Sequence, residues 1–160
     1  MLGLLEQNTA IIRSAPRACR LPPVPVLRFL DAVTAEDRLD IHELISLHGH
    51  LADARRPEDL GLLLTANAQY DISAYGLGVI SGLPALIELF SARPGEQPVG
   101  HHVTNVIVRE RADGAVTVRS KGLSVMANGA AGTVIYDDVV VRTADGWRIS
   151  YRQVIPARAD

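Results

Sequence analysis

Cysteine is nearly absent: Cys19 is the single one in 160 residues. No intrachain disulfide can staple this fold, and no Cys-based metal or redox motif can form. That usage suits a reducing compartment, so a cytoplasmic protein is expected. Aromatic residues make up only 4% of the chain, too few for the stacking platforms of single-strand nucleic-acid binders. Positive charge is not in excess either. Sixteen Lys and Arg against 18 Asp and Glu leave a net charge of −2, which lacks the basic footprint of a nucleic-acid partner. No apolar run reaches the roughly 18 to 20 residues that span a bilayer. Internal repeats and low-complexity segments are absent too.

What is present is a globular composition, 48% hydrophobic and 21% charged, at a length that suits one domain with a real core. Residues 1–33 stand apart, with four prolines, four arginines and few acids. Pro22, Pro23 and Pro25 forbid a continuous helix there. The segment reads as a short helix near Leu4–Ile12 and then an extended arm, with a transit-peptide character as the lesser alternative. Residues 34–156 form the expected domain and 157–160 a tail.

Thr34 followed by Asp37 predicts a helix N-cap. Ile41, Leu44, Ile45, His48, Leu51 and Ala52 then recur at helical spacing on one face. Pro57 ends that helix near Arg55–Arg56 and opens a second, short one through "PEDLGLLL". "AQYDIS" reads as a strand, "GLGVISG" as a short strand or turn, and "LPALIELFSA" as a third helix. From Val99 on, four β-rich runs are separated by Asp113-Gly114, the Asn128–Gly132 cluster and Asp145-Gly146, all turn chemistry. Three helices followed by an antiparallel meander predict an α+β fold, with helices packed on one face of the sheet.

The order of "DRLDIHELI", "AQYDIS", "HHVTN", "YDDVVVRTADGWRISYR" and the terminal "QVI" resembles the SnoaL-like branch of the NTF2-like superfamily over roughly residues 34–156. The resemblance implies a conical α+β barrel: a curved, mostly antiparallel sheet wrapped by three N-terminal helices around an apolar pocket. It also implies homodimerisation through the sheet, a small hydrophobic substrate, and no cofactor or metal, while composition has already argued against a nucleic-acid or membrane partner. Relatives include polyketide cyclases, scytalone-type and bile-acid dehydratases and ketosteroid isomerases, along with non-catalytic binding proteins and partner subunits. Fold alone therefore does not choose among these chemistries.

By the same resemblance, Asp53 and His101 match a dehydratase acid/base pair, Asp53 near the end of the first helix and His101 on the first long strand. Strand alternation places His101, Val103 and Asn105 on one face, the pocket face if the resemblance holds, and His102 and Thr104 on the other. Periodicity alone puts Asp53 at the edge of the apolar stripe, about 120° from Ile41, so a solvated helix end is the competing expectation. His48 sits mid-stripe, where relatives tend to carry tyrosine; it is a third catalytic candidate or a buried, hydrogen-bonded core residue. His42 and His50 look exposed. Tyr136 and Asp138 share a face by alternation, as do Arg148 and Arg152. Arg152 matches a pocket arginine that could hold a carboxylate, thioester or enolate oxygen, or else is a surface residue paired with Asp138. Tyr70 and Tyr75 come from the segment expected at the cone's mouth. Trp147 reads as core or dimer packing. Two further arrangements are weaker: a His48–Asp53–His101 metal site, whose helical spacing is wrong for two ligands, and an Asp53–Arg152–Asp138 relay like that of limonene-type epoxide hydrolases.

Overall fold

The computed structural model describes residues 33–92 and 96–157. The expected arm and its short helix therefore lie outside the described residues, apart from Val33, which is buried in the core.

Helix α1 spans Ala35–Ala54. It begins in the predicted way: Asp37 N–H donates to Thr34 Oγ1 at 3.0 Å, and Thr34 N–H donates to Asp37 Oδ2 at 3.0 Å. This reciprocal capping box satisfies two donors that the first turn would otherwise leave open. Asp37 is itself buried and extends the cap into the core, accepting from Trp147 Nε1 at 3.2 Å and pairing with Arg142. Trp147 is thus a core residue rather than a surface one. Ile41, Leu44, Ile45 and Leu51 line the buried face, each worth about 1.5–3 kcal/mol when fully removed from water.

The second predicted helix is a 3-10 segment, Pro57–Leu62. Only six residues separate the proline that opens it from the strand that follows, too few for the nucleation cost of a stable α-helix. The described chain therefore has two α-helices, α1 and α2 (Leu83–Ser91), where three helices were expected.

Strands β1 (Leu64–Asp71), β2 (Val79–Ser81), β3 (Gly100–Glu110), β4 (Val116–Val125), β5 (Ala131–Thr143) and β6 (Gly146–Pro156) form one sheet in the order β2-β1-β6-β5-β4-β3. β3 to β6 make the predicted antiparallel meander, while β1 lies parallel to β6. Both α-helices contribute to one core, α1 through Ile41 and Ile45 and α2 through Leu86, against the buried residues of the sheet.

Two irregularities decide where side chains point. In β3 the pairing with β4 shifts by one between Thr104 and Ile107, and Asn105 takes φ 54° there. One extra residue reverses the alternation: His101 and Val103 face inward before the bulge, and Val106 and Val108 after it. Asn105 is thrown out to solvent, so the expectation that it shares the pocket face fails. In β6 a second shift lies opposite Val139/Val140, so Trp147 and Ile149 are buried before it and Arg152 and Val154 after it. Arg148 and Arg152 accordingly do not share a face. Arg148 reaches the Gly61 carbonyl at 3.0 Å, and Arg152 turns into the core.

Candidate active site

A cavity of about 900 Å³ opens between the α1 end, the 3-10 segment, α2 and the inner ends of β3, β4 and β5. Its body is apolar, with Leu51, Leu60, Ile72, Phe90, Val134 and Val154 in the wall. His48, His101, Tyr70, Tyr75 and Tyr136 supply the polar groups that the sequence reading singled out. Large volume, apolar walls and a few convergent polar groups are what a small-molecule site requires.

Asp53 and His101 come together. The Asp53 Oδ1 to His101 Nδ1 distance is 2.7 Å, and the same carboxylate accepts the His101 backbone N–H at 3.0 and 3.2 Å. An ionised carboxylate can only accept, so Nδ1 carries the ring hydrogen and Nε2 is the basic nitrogen. Asp53 is not part of the cavity wall; it stands behind the imidazole and fixes its orientation and tautomer.

Gly49 explains how α1 reaches that strand. A Cβ at this position would sit 2.4 Å from the His101 carbonyl oxygen. Only glycine lets helix and strand backbones approach so closely, and Asp53 follows one turn later on the same side of the helix. The sequence signal was a glycine inside an otherwise regular helix, which costs about 1 kcal/mol in propensity and so points to a packing reason. The reading from apolar periodicity alone missed it.

His48 is buried and stacks edge-on against Tyr136, with ring centroids 5.3 Å apart, and lies 6.5 Å from His101. Tyr136 is also buried, and its hydroxyl pKa is raised by burial first and by neighbouring Tyr70 next, with Arg152 opposing. It therefore remains a protonated donor at neutral pH. Its ring lies over β4 at Gly122, where a Cβ would come within 2.6 Å of it. Tyr70 packs edge-on against Phe90 at 5.5 Å and is buried in the wall, whereas Tyr75 is 49% exposed at the opening.

Arg152 is not a pocket residue. It is 0% exposed and bound in bidentate fashion to Asp138, at 2.8 and 2.7 Å, with its guanidinium 4.4 Å from the centre of the Tyr136 ring. The pairing with Asp138 is as expected, but in the core instead of on the surface. Burial raises the Asp138 pKa and the guanidinium opposes that rise. For Arg152 desolvation favours the neutral form, yet the adjoining carboxylate outweighs it and the pKa goes up. The arginine stays charged, buried behind Tyr136 and away from the cavity wall. An Asp53–Arg152–Asp138 relay in the cavity is therefore not formed. Among the described residues no three His, Cys, Asp or Glu side chains cluster as a metal site would need. His42 and His50 are exposed, as expected; His102 is exposed too, although it borders the cavity.

Residues 33–153 match the SnoaL-like domain. The chain belongs to the SnoaL-like family. This SnoaL-like protein is 33% identical over 132 residues to the uncharacterised protein Rv2910c of Mycobacterium tuberculosis, covering 77% of this chain and 87% of the relative. Among solved structures it resembles Rv3472 of the same organism, at 23% identity and a TM-score of 0.67, covering 79% of each chain. It also resembles ActVI-ORFA of Streptomyces coelicolor, at 16% identity and a TM-score of 0.63, covering 76% of this chain and 98% of that one. At those identities the two structures establish the shared NTF2-like fold and nothing finer. No described helix of the SnoaL-like protein is long and apolar enough to cross a membrane.

Proposed function

We propose that this protein is a lyase, isomerase or cyclase working by acid/base chemistry, without a cofactor, on a small, largely apolar hydroxy- or keto-compound of polyketide- or steroid-like shape. The observation that carries the proposal is the 2.7 Å contact by which Asp53, from behind, holds His101 in the wall of an apolar cavity of about 900 Å³. A carboxylate held on Nδ1 steadies the imidazolium that forms when Nε2 takes a proton. Nε2 would remove a proton beside a carbonyl and return it to a departing hydroxyl or to another carbon. Tyr136, a protonated donor, would receive the developing enolate oxygen, and His48, beside both, would exchange the second proton. Tyr70 and Tyr75 would contact the rings of the substrate.

The test is an NMR screen of hydroxy- and keto-polycycles in D₂O, following α-proton exchange and elimination. Wild type should turn over at least one compound; His101→Ala should lose about 10²–10⁴-fold in rate, and Asp53→Asn should fall in the same direction while still binding. Equal turnover by His101→Ala would overturn the assignment. Binding without turnover by any variant would instead favour a non-catalytic pocket protein, the second reading, which the apolar wall supports equally well.

A further inference from the structure

We propose that Arg55 makes the cavity selective for substrates with an apolar ring body and a carboxylate at one end. This rests on the proposed function and adds a substrate class to it. Arg55 follows the last residue of α1 and closes the helix in the left-handed region, at φ 54° and ψ 48°. Its N–H donates to the Ala52 carbonyl, and that of Arg56 to the Leu51 carbonyl, each at 3.2 Å. This closing turn normally takes glycine, because a side chain there is crowded against the following carbonyl. A strained, non-glycine residue at such a position, on the wall of a cavity, is a functional candidate.

The second observation is the state of its charge. Arg55 borders the cavity and is exposed, and its side chain has no hydrogen-bond or ion-pair partner among the described residues. The neighbouring Arg56 also borders the cavity but is engaged by Asp59. Arg152 is buried in its own pair with Asp138. Among the described residues Arg55 is thus the uncommitted guanidinium at the cavity, two residues beyond the aspartate that orients His101. A planar guanidinium suits a carboxylate because it can donate two parallel hydrogen bonds. Glu58, exposed in the same wall, bears the opposite charge and works against an anion. The two residues therefore make opposite predictions.

The bland alternative is that Arg55 serves only the helix, its charge facing the negative end of the helix dipole. The two roles differ in what glycine does. If Arg55 is retained for a ligand at the cost of strain, Arg55→Gly relieves that strain and raises Tm by roughly 2–4 °C. If it serves the helix alone, ligand preference does not change.

The experiment uses a series of fused-ring ketones, from tetralone upward in ring number, each as the carboxylic acid and as its methyl ester. Binding is measured by titration calorimetry and α-proton exchange by NMR. Wild type should prefer acids to esters by about three- to ten-fold, the range for a charge-assisted contact at a partly open site, and the preference should shrink as salt rises. Arg55→Gly and Arg55→Gln should abolish the preference, Arg55→Lys should keep part of it, and Glu58→Gln should increase it. Loss of preference with Tm at or above that of wild type carries the proposal. Acids binding no better than esters to wild type, or an unchanged preference in both neutral variants, overturns it. His101-dependent exchange on acids and esters alike would leave the acid/base reading standing without Arg55. An Arg55-dependent preference with no exchange would do the reverse.

Discussion

A single glycine sets the distance on which the candidate site depends. With 2.4 Å between a built Cβ at Gly49 and the His101 carbonyl oxygen, alanine there must push α1 and β3 apart. Two effects compete. Alanine is the better helix former by about 1 kcal/mol, and in an exposed helix it would stabilise. Here the collision is with backbone, which cannot rotate aside, and overpacking of that kind costs about 1–3 kcal/mol. Gly49→Ala should therefore be net destabilising in urea unfolding. It should also lower turnover more than it lowers ligand binding, because Asp53 is carried away from the imidazole. A stabilised Gly49→Ala with full activity would show that the approach of helix to strand is not what seats the dyad.

At the scale of elements, much was legible, and the misses came from the shortness of the Pro57–Leu62 segment and from two strand bulges. The capping box at Thr34 and Asp37, the turn chemistry between the strands of the meander and the apolar stripe of α1 were all local signals, and all are present. Asp53 and His101 were found only through resemblance, since helical periodicity placed the aspartate at the edge of the stripe. Asn105 and the shared face of Arg148 and Arg152 were misplaced because plain alternation was run through two bulges, which a period-two pattern cannot reveal, and the pocket role of Arg152 came from the resemblance alone. The bulge in β6 turns Arg152 inward, where Asp138 meets it in the core. That pair makes a prediction about stability. Arg152→Ala would leave a carboxylate buried without its partner, at a cost of about 3–5 kcal/mol. The double change Arg152→Met with Asp138→Leu removes both charges and should recover most of that loss in denaturant unfolding. If the double variant is as unstable as the single one, packing over Tyr136, and not charge, is what the pair provides.

The whole molecule is asymmetric across its sheet. α1 and α2 contribute to the core on one face, while Ile107, Val139, Val141 and Tyr151 alternate away from it, among Arg119 and Asp137, which pair at 3.3 Å. Ile107 and Val141 are 47% and 37% exposed, an arrangement of apolar and paired polar groups that suits contact with a second copy of the chain. The proposal carried over from the family resemblance is a homodimer through this face. A stable interface buries about 1,200–2,000 Å² in total, which demands most of the central strands and not one strand edge. A charge placed at its middle must then be desolvated without a partner, and that outweighs the small contribution of any single apolar contact. Light scattering should accordingly give a dimer for wild type and a monomer for Val139→Asp, a position that lies between Thr117 of β4 and Tyr151 of β6, with the far-ultraviolet spectrum unchanged because the residue is already partly exposed. A wild-type monomer would remove the dimer altogether. A Val139→Asp protein that still dimerises would move the interface off this face.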